Sequence, residues 1–281
     1  MDSHARTAVR RSFANTRFEV LPLAGVEDQV AYLPPGATVT VTASPTRGLA
    51  PTIVLAERLA AQGLRVVPHL AARLVRDRAH LAGLLQRLEA SGIRDVFVPA
   101  GDAPEPVGPY AAAVDLLREL ADVGHSLDGI GITGYPESHA FIPDDETIRA
   151  MAAKAPYATH IVSQICYDPA TIAAWVAAVR ARGIELPIYV GVPGAVDRAR
   201  LMRISLRVGL GDSVRFLRKQ TGVVARLMAG YTPDDLVVRL APLIADAATG
   251  LAGWHLFTFN EIAKTEQWRR QLLDLSEGAH A

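Results

Sequence analysis

From Arg17 to the end of the chain, short apolar runs alternate with amphipathic stretches. This alternation constrains the fold more than any single motif, because it is typical of repeated strand–helix units that build a parallel sheet. It predicts eight strands, each followed by a helical connection. The predicted strands are 17–22, 38–43, 65–70, 97–102, 129–134, 160–165, 186–191 and 254–259. The sequence therefore predicts an α/β protein with a (β/α)8 TIM barrel.

A single barrel fits the length, because such a barrel needs about 250 residues and the chain has 281. Residues 1–16, which are rich in arginine, are predicted to form a flexible N-terminal arm, and 17–281 the barrel. The alternative is an open doubly wound sheet, which usually carries a glycine-rich phosphate fingerprint after its first strand. The stretch 21–25 contains one glycine, so the barrel is favoured.

The charge balance and the cysteine content exclude several classes of protein. Lys plus Arg equal Asp plus Glu at 29 each, whereas nucleic-acid and membrane-surface partners need a basic excess. Cys166 is the single cysteine, so an internal disulfide is excluded and a reducing compartment is favoured. No apolar run approaches the roughly 18 residues of a membrane span. We expect a cytoplasmic protein, with homo-oligomerisation left open.

Polar residues at strand ends are the candidate site residues, because a TIM barrel places its active site there. They are Glu19, Thr42, His69, Asp102, Tyr135, His139, Gln164 and Asn260. Asp102 ends an apolar run, although it is also ordinary turn chemistry. Glu19 interrupts an apolar strand, and a buried carboxyl group favours the protonated form that a general acid requires. The alternative is that Glu19 points outward.

The other candidates differ in how specific they are. A lone histidine such as His69 is more often a core residue than a ligand, whereas the loop from Tyr135 to His139 combines hydroxyl, carboxyl and imidazole groups. Gln164 can donate and accept, as recognition of a heterocyclic amide edge requires, or it can bond to backbone. The histidines lack close ligand spacing, so no metal site is predicted.

Together, these stretches resemble the methylenetetrahydrofolate reductase family from about Arg17 to Asn260. The matching motifs, in the family's order, are Phe18-Glu19, Val41-Thr42, Pro68-His69-Leu70, Gly101-Asp102, Tyr135-Pro136-Glu137 with His139, Gln164 before Tyr167-Asp168, Val192-Pro193-Gly194 and His255-Leu256-Phe257-Thr258-Phe259-Asn260. The resemblance implies a barrel that binds FAD and reduces 5,10-methylenetetrahydrofolate to 5-methyltetrahydrofolate with NAD(P)H as co-substrate.

The resemblance also implies roles for individual residues. Glu19 matches the proton donor to the leaving nitrogen of the folate, Asp102 the carboxylate between flavin and pterin, and Gln164 a substrate-binding glutamine. The positions that match flavin contacts are Thr42, His69, Asp102, Tyr135, His139 and Lys154. Reduced folate and nicotinamide are thus the expected small-molecule partners.

Three alanines depart from the family pattern. Ala100 stands where a basic residue is usual, and Ala150 and Ala153 stand where an asparagine and an arginine are expected. Fewer contacts to the flavin diphosphate predict weaker FAD binding. Two variants stay open: a flavin-free enzyme with direct hydride transfer from NAD(P)H, and a non-catalytic accessory barrel that binds reduced folate. A folate-dependent methyltransferase is a third reading, and the basic segment 203–219 is either an anion site or a solvated face.

Overall fold

Eight parallel strands form the centre of the structure, a computed structural model that describes residues 3–136, 144–166, 168–195 and 233–277. The strands are β1 (Arg17–Val20), β2 (Thr38–Val41), β3 (Arg65–Pro68), β4 (Asp95–Phe97), β5 (Gly129–Gly134), β6 (His160–Ser163), β7 (Ile188–Pro193) and β8 (Leu251–Phe257). Their apolar side chains are almost all buried, as expected for a parallel sheet that is covered on both faces.

The strands pair in the order β3-β2-β1-β8-β7-β6-β5-β4. β1 lies between β2 and β8, so that Arg17 faces Thr38 on one side and His255 on the other. The two outer strands meet through a parallel bridge between His69 and Phe97. Next to it, the Leu70 N–H donates to the Phe97 carbonyl at 2.8 Å. The sheet thus closes on itself, and the predicted TIM barrel is confirmed.

One helix precedes the first strand and the others follow strands, and a side-chain cap begins two of the helices in the described ranges. The helices are α1 (Ser3–Ser12), α2 (Val26–Val30), α3 (Ala50–Ala61), α4 (Arg78–Ala90), α5 (Ala113–Val123), α6 (Asp144–Lys154), α7 (Pro169–Arg180), α8 (Pro233–Ala245) and α9 (Ile262–Glu277). Asp77 caps α4 by accepting from the His80 N–H at 2.7 Å. Asp168 caps α7 in the same way. Such caps satisfy N–H groups that have no partner within the helix.

Some strand boundaries differ from the predicted ones. β4 stops at Phe97, because Pro99 has no N–H with which to continue the ladder. β8 begins at Leu251, since Gly250, with φ 68°, turns the chain directly before it. β7 starts and ends later than predicted. The sequence also predicts several short helices within 197–230, and this stretch lies outside the described residues.

The first residues form a packed helix, in contrast to the flexible arm expected for residues 1–16. α1 contacts α8 and α9, and its Val9 is fully buried. At its end, Trp254 Nε1 donates to Ser12 Oγ at 2.9 Å, and the Phe13 ring lies 5.9 Å from the Trp254 rings. The arginine-rich composition of residues 1–16 does not reveal this narrow apolar side of the helix.

Candidate active site

The carboxyl group of Glu19 lies between two histidines inside the barrel. Its Oε2 is 3.1 Å from Nε2 of His255 on β8 and 3.6 Å from Nε2 of His69, which directly follows β3. The three residues meet because β8 pairs with β1 and the chain after β3 runs along β2. The Glu19 side chain is 16% exposed. It is therefore a largely buried acid that still reaches solvent. We call these three residues the Glu19 cluster.

Both histidines of the cluster are buried beside aromatic rings. The His69 ring lies 4.7 Å from Phe97, and the His255 ring lies 4.8 Å from Phe257. Burial lowers the pKa of His69 to about 4, although the charge of Glu19 acts in the opposite direction. His69 is therefore neutral near pH 7. Its 3.6 Å contact with Glu19 is neither an ion pair nor a hydrogen bond, and its Nε2 has no hydrogen-bond partner.

A second polar layer fills the barrel beneath the Glu19 cluster. Arg17 precedes Glu19 by two residues, so the two side chains share the inward face of β1. Arg17 donates to Asp95 at 3.0 Å and to His160 Nε2 at 2.9 Å, and its guanidinium lies 4.1 Å from the centre of the Tyr189 ring. Burial raises the pKa of Asp95 against the effect of Arg17, and burial lowers that of His160 far below its usual value. The layer therefore holds one fixed cation below Glu19.

The loop that carries Asp102 is fixed by Arg73. The guanidinium donates at 2.6, 2.6 and 3.1 Å to three backbone carbonyls, those of Ala103, Pro104 and Ala111. Gly101 has φ 91°, and a Cβ there would lie 2.9 Å from Cβ of Ala71. Only glycine fits this turn without strain. Asp102 itself is exposed, so its carboxylate is held in solvent beyond the end of β4.

Tyr135, Thr133 and Lys154 are linked on β5 and α6. Burial raises the pKa of Tyr135, a hydrogen bond with Thr133 opposes this, and the charge of Asp102 adds to it. Lys154 Nζ donates to Thr133 Oγ1 at 2.9 Å. The lysine is 7% exposed, and burial lowers its pKa to about 8. Within the described ranges no carboxylate pairs with it, so its ammonium group is buried at a cost.

Thr42 and Gln164 each take part in a local hydrogen bond between a side chain and the backbone. Thr42 follows β2, and its carbonyl accepts from Thr52 Oγ1 at 2.8 Å. Gln164 follows β6 with an exposed side chain, and its Oε1 accepts from the N–H of Ile165 at 2.9 Å. Both stand at strand ends, as predicted from the sequence. His139 and the basic segment 203–219 lie outside the described residues.

Asn260 clamps two strand ends together. Its Oδ1 accepts from the Leu21 N–H at 2.8 Å, and its Nδ2 donates to the Leu21 carbonyl at 3.0 Å. Asn260 adopts a left-handed conformation with φ 63°, which asparagine tolerates better than most residues. The clamp ties the end of β8 to the end of β1, and it thereby helps to hold His255 against Glu19.

Sequence reasoning did not assign His255 or Arg17 to the site. The sequence does contain indications of both: Arg17 lies two residues before Glu19, on the same face of β1, and His255 is a polar residue within an apolar strand. The missing step was the pairing of the last strand with the first, which follows once the barrel is closed.

Glu19, His69 and His255 have the residue types of a metal site, but their geometry is different. In the parts of the chain that the structure describes, no group of three His, Cys, Asp or Glu residues is arranged to hold a metal ion. Over the same parts, no helix is both long enough and apolar enough to cross a membrane.

These features define a TIM barrel with a buried acid at its mouth. The family model for methylenetetrahydrofolate reductase matches residues 24–205. The chain belongs to the methylenetetrahydrofolate reductase family.

Three curated relatives carry this family name. Methylenetetrahydrofolate reductase 1 of Schizosaccharomyces pombe is 34% identical over 118 residues, which is 38% of this chain and 19% of that protein. Methylenetetrahydrofolate reductase 2 of Saccharomyces cerevisiae is 27% identical over 42% of this chain and 22% of its own. Methylenetetrahydrofolate reductase (NADH) 1 of Arabidopsis thaliana is 28% identical over 63% of this chain and 33% of its own. The matches therefore span a third or less of each relative.

Solved structures share the fold at low sequence identity. An uncharacterized protein from Clostridium thermocellum that binds two copies of 5-methyl-5,6,7,8-tetrahydrofolic acid has a TM-score of 0.63 and 11% identity, over 95% of this chain and 99% of that one. Oxaloacetate acetylhydrolase has a TM-score of 0.55 and 12% identity, over 98% and 86%. At these identities the likeness concerns the fold alone.

Three positions of α6 at which the family resemblance predicts contacts to the diphosphate of FAD offer no exposed donor. Lys154 is expected from the resemblance to contact the flavin, yet its ammonium group is buried and donates to Thr133. Ala150 and Ala153 occupy exposed positions of α6 and offer no side-chain donor. A diphosphate normally needs several charge-assisted hydrogen bonds, and these three positions of α6 offer no side-chain donor at the surface.

Proposed function

We propose that this protein reduces 5,10-methylenetetrahydrofolate to 5-methyltetrahydrofolate with NAD(P)H. Family membership supports the reaction class. The observation that carries the proposal is Glu19, an acid that is mostly buried and lies between two imidazoles. Such a position favours a carboxyl group that delivers a proton at a defined place.

The reaction begins with proton transfer from Glu19 to one of the two folate nitrogens that hold the bridging carbon. The bond between that nitrogen and the carbon breaks, its electron pair stays on the nitrogen, and an iminium forms at the second nitrogen. A hydride from the nicotinamide then adds to the iminium carbon and produces the methyl group, while NAD(P)H becomes NAD(P)⁺. The Glu19 carboxylate regains its proton from solvent.

Asp102 and Gln164 serve the folate in this proposal. The exposed carboxylate of Asp102 binds polar edges of the pterin and favours positive charge in the opening ring. Gln164 can donate and accept with its amide, as pterin recognition requires. Both stand beyond strand ends at the mouth of the barrel, where TIM barrels bind substrates.

The described residues favour direct hydride transfer from NAD(P)H over a route through FAD. The supporting observation is that the buried ammonium group of Lys154 donates to Thr133 Oγ1, so it is not presented to a phosphate group. Thr42, His69 and Tyr135 remain proposed contacts for whichever ring, flavin or nicotinamide, occupies the mouth. His139 belongs to the same proposal.

The test is NADH oxidation in the presence of methylenetetrahydrofolate, with and without added FAD. We expect oxidation that depends on the folate and is not increased by FAD. Glu19→Gln is expected to lower turnover about 100-fold or more, in line with the usual contribution of a general acid. Glu89→Gln is the matched control, because Glu89 is exposed on α4. Unchanged folate turnover in Glu19→Gln would show that Glu19 is not the proton donor.

Two further outcomes distinguish the other interpretations. Folate-dependent turnover that requires added FAD would show that the flavin binds despite the buried lysine, and would overturn the direct route. Binding of 5-methyltetrahydrofolate without nicotinamide oxidation would refute the proposed reductase activity and favour a non-catalytic accessory barrel that binds reduced folate.

A further inference from the structure

The environment of His255 is asymmetric. Its Nε2 lies 3.1 Å from Glu19 Oε2, whereas its Nδ1 is buried and has no hydrogen-bond partner among the residues that the structure describes. The His255 side chain is only 2% exposed. Such a residue is unusual, because most buried polar atoms have a partner, and it invites a functional explanation.

The missing partner at Nδ1 selects one protonation form of the ring. With the proton on Nε2, the ring donates to Glu19, and Nδ1 carries only a lone pair without a donor. With the proton on Nδ1, an N–H group would be buried without an acceptor, and orphaned donors are rarer than orphaned acceptors. An imidazolium would also carry that unpaired N–H. The geometry therefore favours the neutral ring with its proton on Nε2.

Besides Glu19, the titratable or charged groups near His255 are His69, His160 and Arg17. His69, from the end of β3, is neutral because its pKa is about 4, and His160 on β6 accepts from Arg17 and is also neutral. Arg17 is the fixed cation of the lower layer, and it faces His255 in the pairing of β1 with β8. Glu19 is the acid that contacts the ring. Two neutral imidazoles and one guanidinium thus surround the pair.

A neutral donor and a charged donor have opposite consequences for Glu19. An imidazolium beside the carboxyl group would favour its ionised form and would oppose proton delivery. A neutral N–H orients the carboxyl group without adding charge. It also contacts Oε2, whereas Oε1 forms no hydrogen bond with any residue described in the structure, so Oε1 is the oxygen that can present a proton to a substrate.

We propose that His255 is a positioning residue for Glu19, which as the neutral Nε2–H tautomer holds Oε2 and directs the acidic proton on Oε1 toward the folate nitrogen. This inference rests on the proposed reductase function. No proton leaves His255 in the step: the Oε1–H bond breaks, the new N–H bond forms on the folate, and Glu19 remains as a carboxylate that accepts from Nε2–H.

The kinetic test compares two substitutions at this position. His255→Phe removes the donor, and kcat is expected to fall about tenfold, the usual effect of one lost hydrogen bond, with less than a twofold change in the folate KM. His255→Gln keeps a neutral donor and is expected to lose no more than about threefold, with an unchanged pH profile. Two results would overturn the proposal: the fall in activity at low pH disappears in His255→Gln, or kcat falls by the same factor in both variants.

A double-mutant cycle separates positioning from general structural damage. In a Glu19→Gln background, His255→Phe is expected to cause no further loss, because both substitutions act on the same step. Trp254→Phe is the control on the same strand: it removes the bond to Ser12 and is expected to lower stability while leaving kcat and its pH profile unchanged. Additive losses in the cycle would contradict the proposal.

A measurement on the resting protein distinguishes failure of this inference from failure of the proposed function. Nitrogen NMR of the full chain labelled with ¹⁵N-histidine, assigned with His255→Gln, reports the tautomer without any turnover. We expect a neutral ring protonated at Nε2 near pH 7. An Nδ1–H tautomer or an imidazolium would overturn the positioning role even in an active reductase. The expected tautomer in a protein without folate reduction would instead refute the reductase function.

Discussion

Lys154 gives the clearest quantitative prediction, because its ammonium group is buried without a described carboxylate partner. Burial lowers its pKa from 10.5 to about 8. A difference of one unit in pKa corresponds to about 1.4 kcal/mol. Burial of the protonated lysine therefore destabilises the folded state by about 3 kcal/mol. Lys154→Met removes this cost and retains an unbranched side chain. It also removes the hydrogen bond to Thr133, which contributes about 1 kcal/mol.

The predicted difference depends on pH in a defined direction. Below pH 8 the lysine is protonated in both states, so the full burial cost is present. Between pH 8 and 10.5 the folded state loses the proton and the unfolded state keeps it, so the stability of the native protein rises with pH. Lys154→Met is therefore expected to be about 2 kcal/mol more stable than the native protein at pH 7 and about 1 kcal/mol less stable near pH 10.5.

Urea unfolding at several pH values between 7 and 10.5 measures this difference directly. Lys264→Met is the matched control, because the Lys264 side chain is 59% exposed on α9, and its effect is expected to be small and independent of pH. A stability difference between Lys154→Met and the native protein that stays constant over the range would refute the argument from burial.

Three further predictions concern the loop, the first helix and the lower layer. Arg73→Ala removes three hydrogen bonds from the Asp102 loop and is expected to raise the folate KM about tenfold; an unchanged KM in steady-state kinetics would contradict the role of the loop. Val9→Ala is expected to cost about 2 kcal/mol in denaturant unfolding, since Val9 is fully buried; a change below about 0.5 kcal/mol would mean that α1 is not packed. Arg17→Met leaves Asp95 unpaired and is expected to cost about 3 kcal/mol in the same assay; an equally stable variant would refute this.

The barrel was predictable from the sequence because its signals are local. Apolar runs separated by helical periods identify the eight strands, and Gly101 marks the turn before Asp102 without any tertiary information. The interruption of β1 by Glu19 was likewise visible. Exact strand ends were less predictable, since they depend on details such as the absent N–H of Pro99.

The partners of the site residues were not predictable in the same way. That His255 touches Glu19 follows from the pairing of the first and last strands, which are far apart in sequence. That Lys154 bonds to Thr133 depends on how α6 packs, and no periodicity encodes this. The packing of α1 against α8 and α9 is another long-range contact, and it overrides the polar composition of the helix.

The closure of the barrel has a consequence for how ligand binding is linked to local opening. β3 and β4 are joined by the single bridge between His69 and Phe97, whereas β2 and β3 pair at four positions and β4 and β5 at three. His69 also belongs to the Glu19 cluster. A ligand that packs on His69 therefore stabilises the seam between β3 and β4 by its binding free energy. Amide hydrogens of residues 66–70 and 95–98 should exchange fastest among the strands in the free protein and slow most when the mouth is filled.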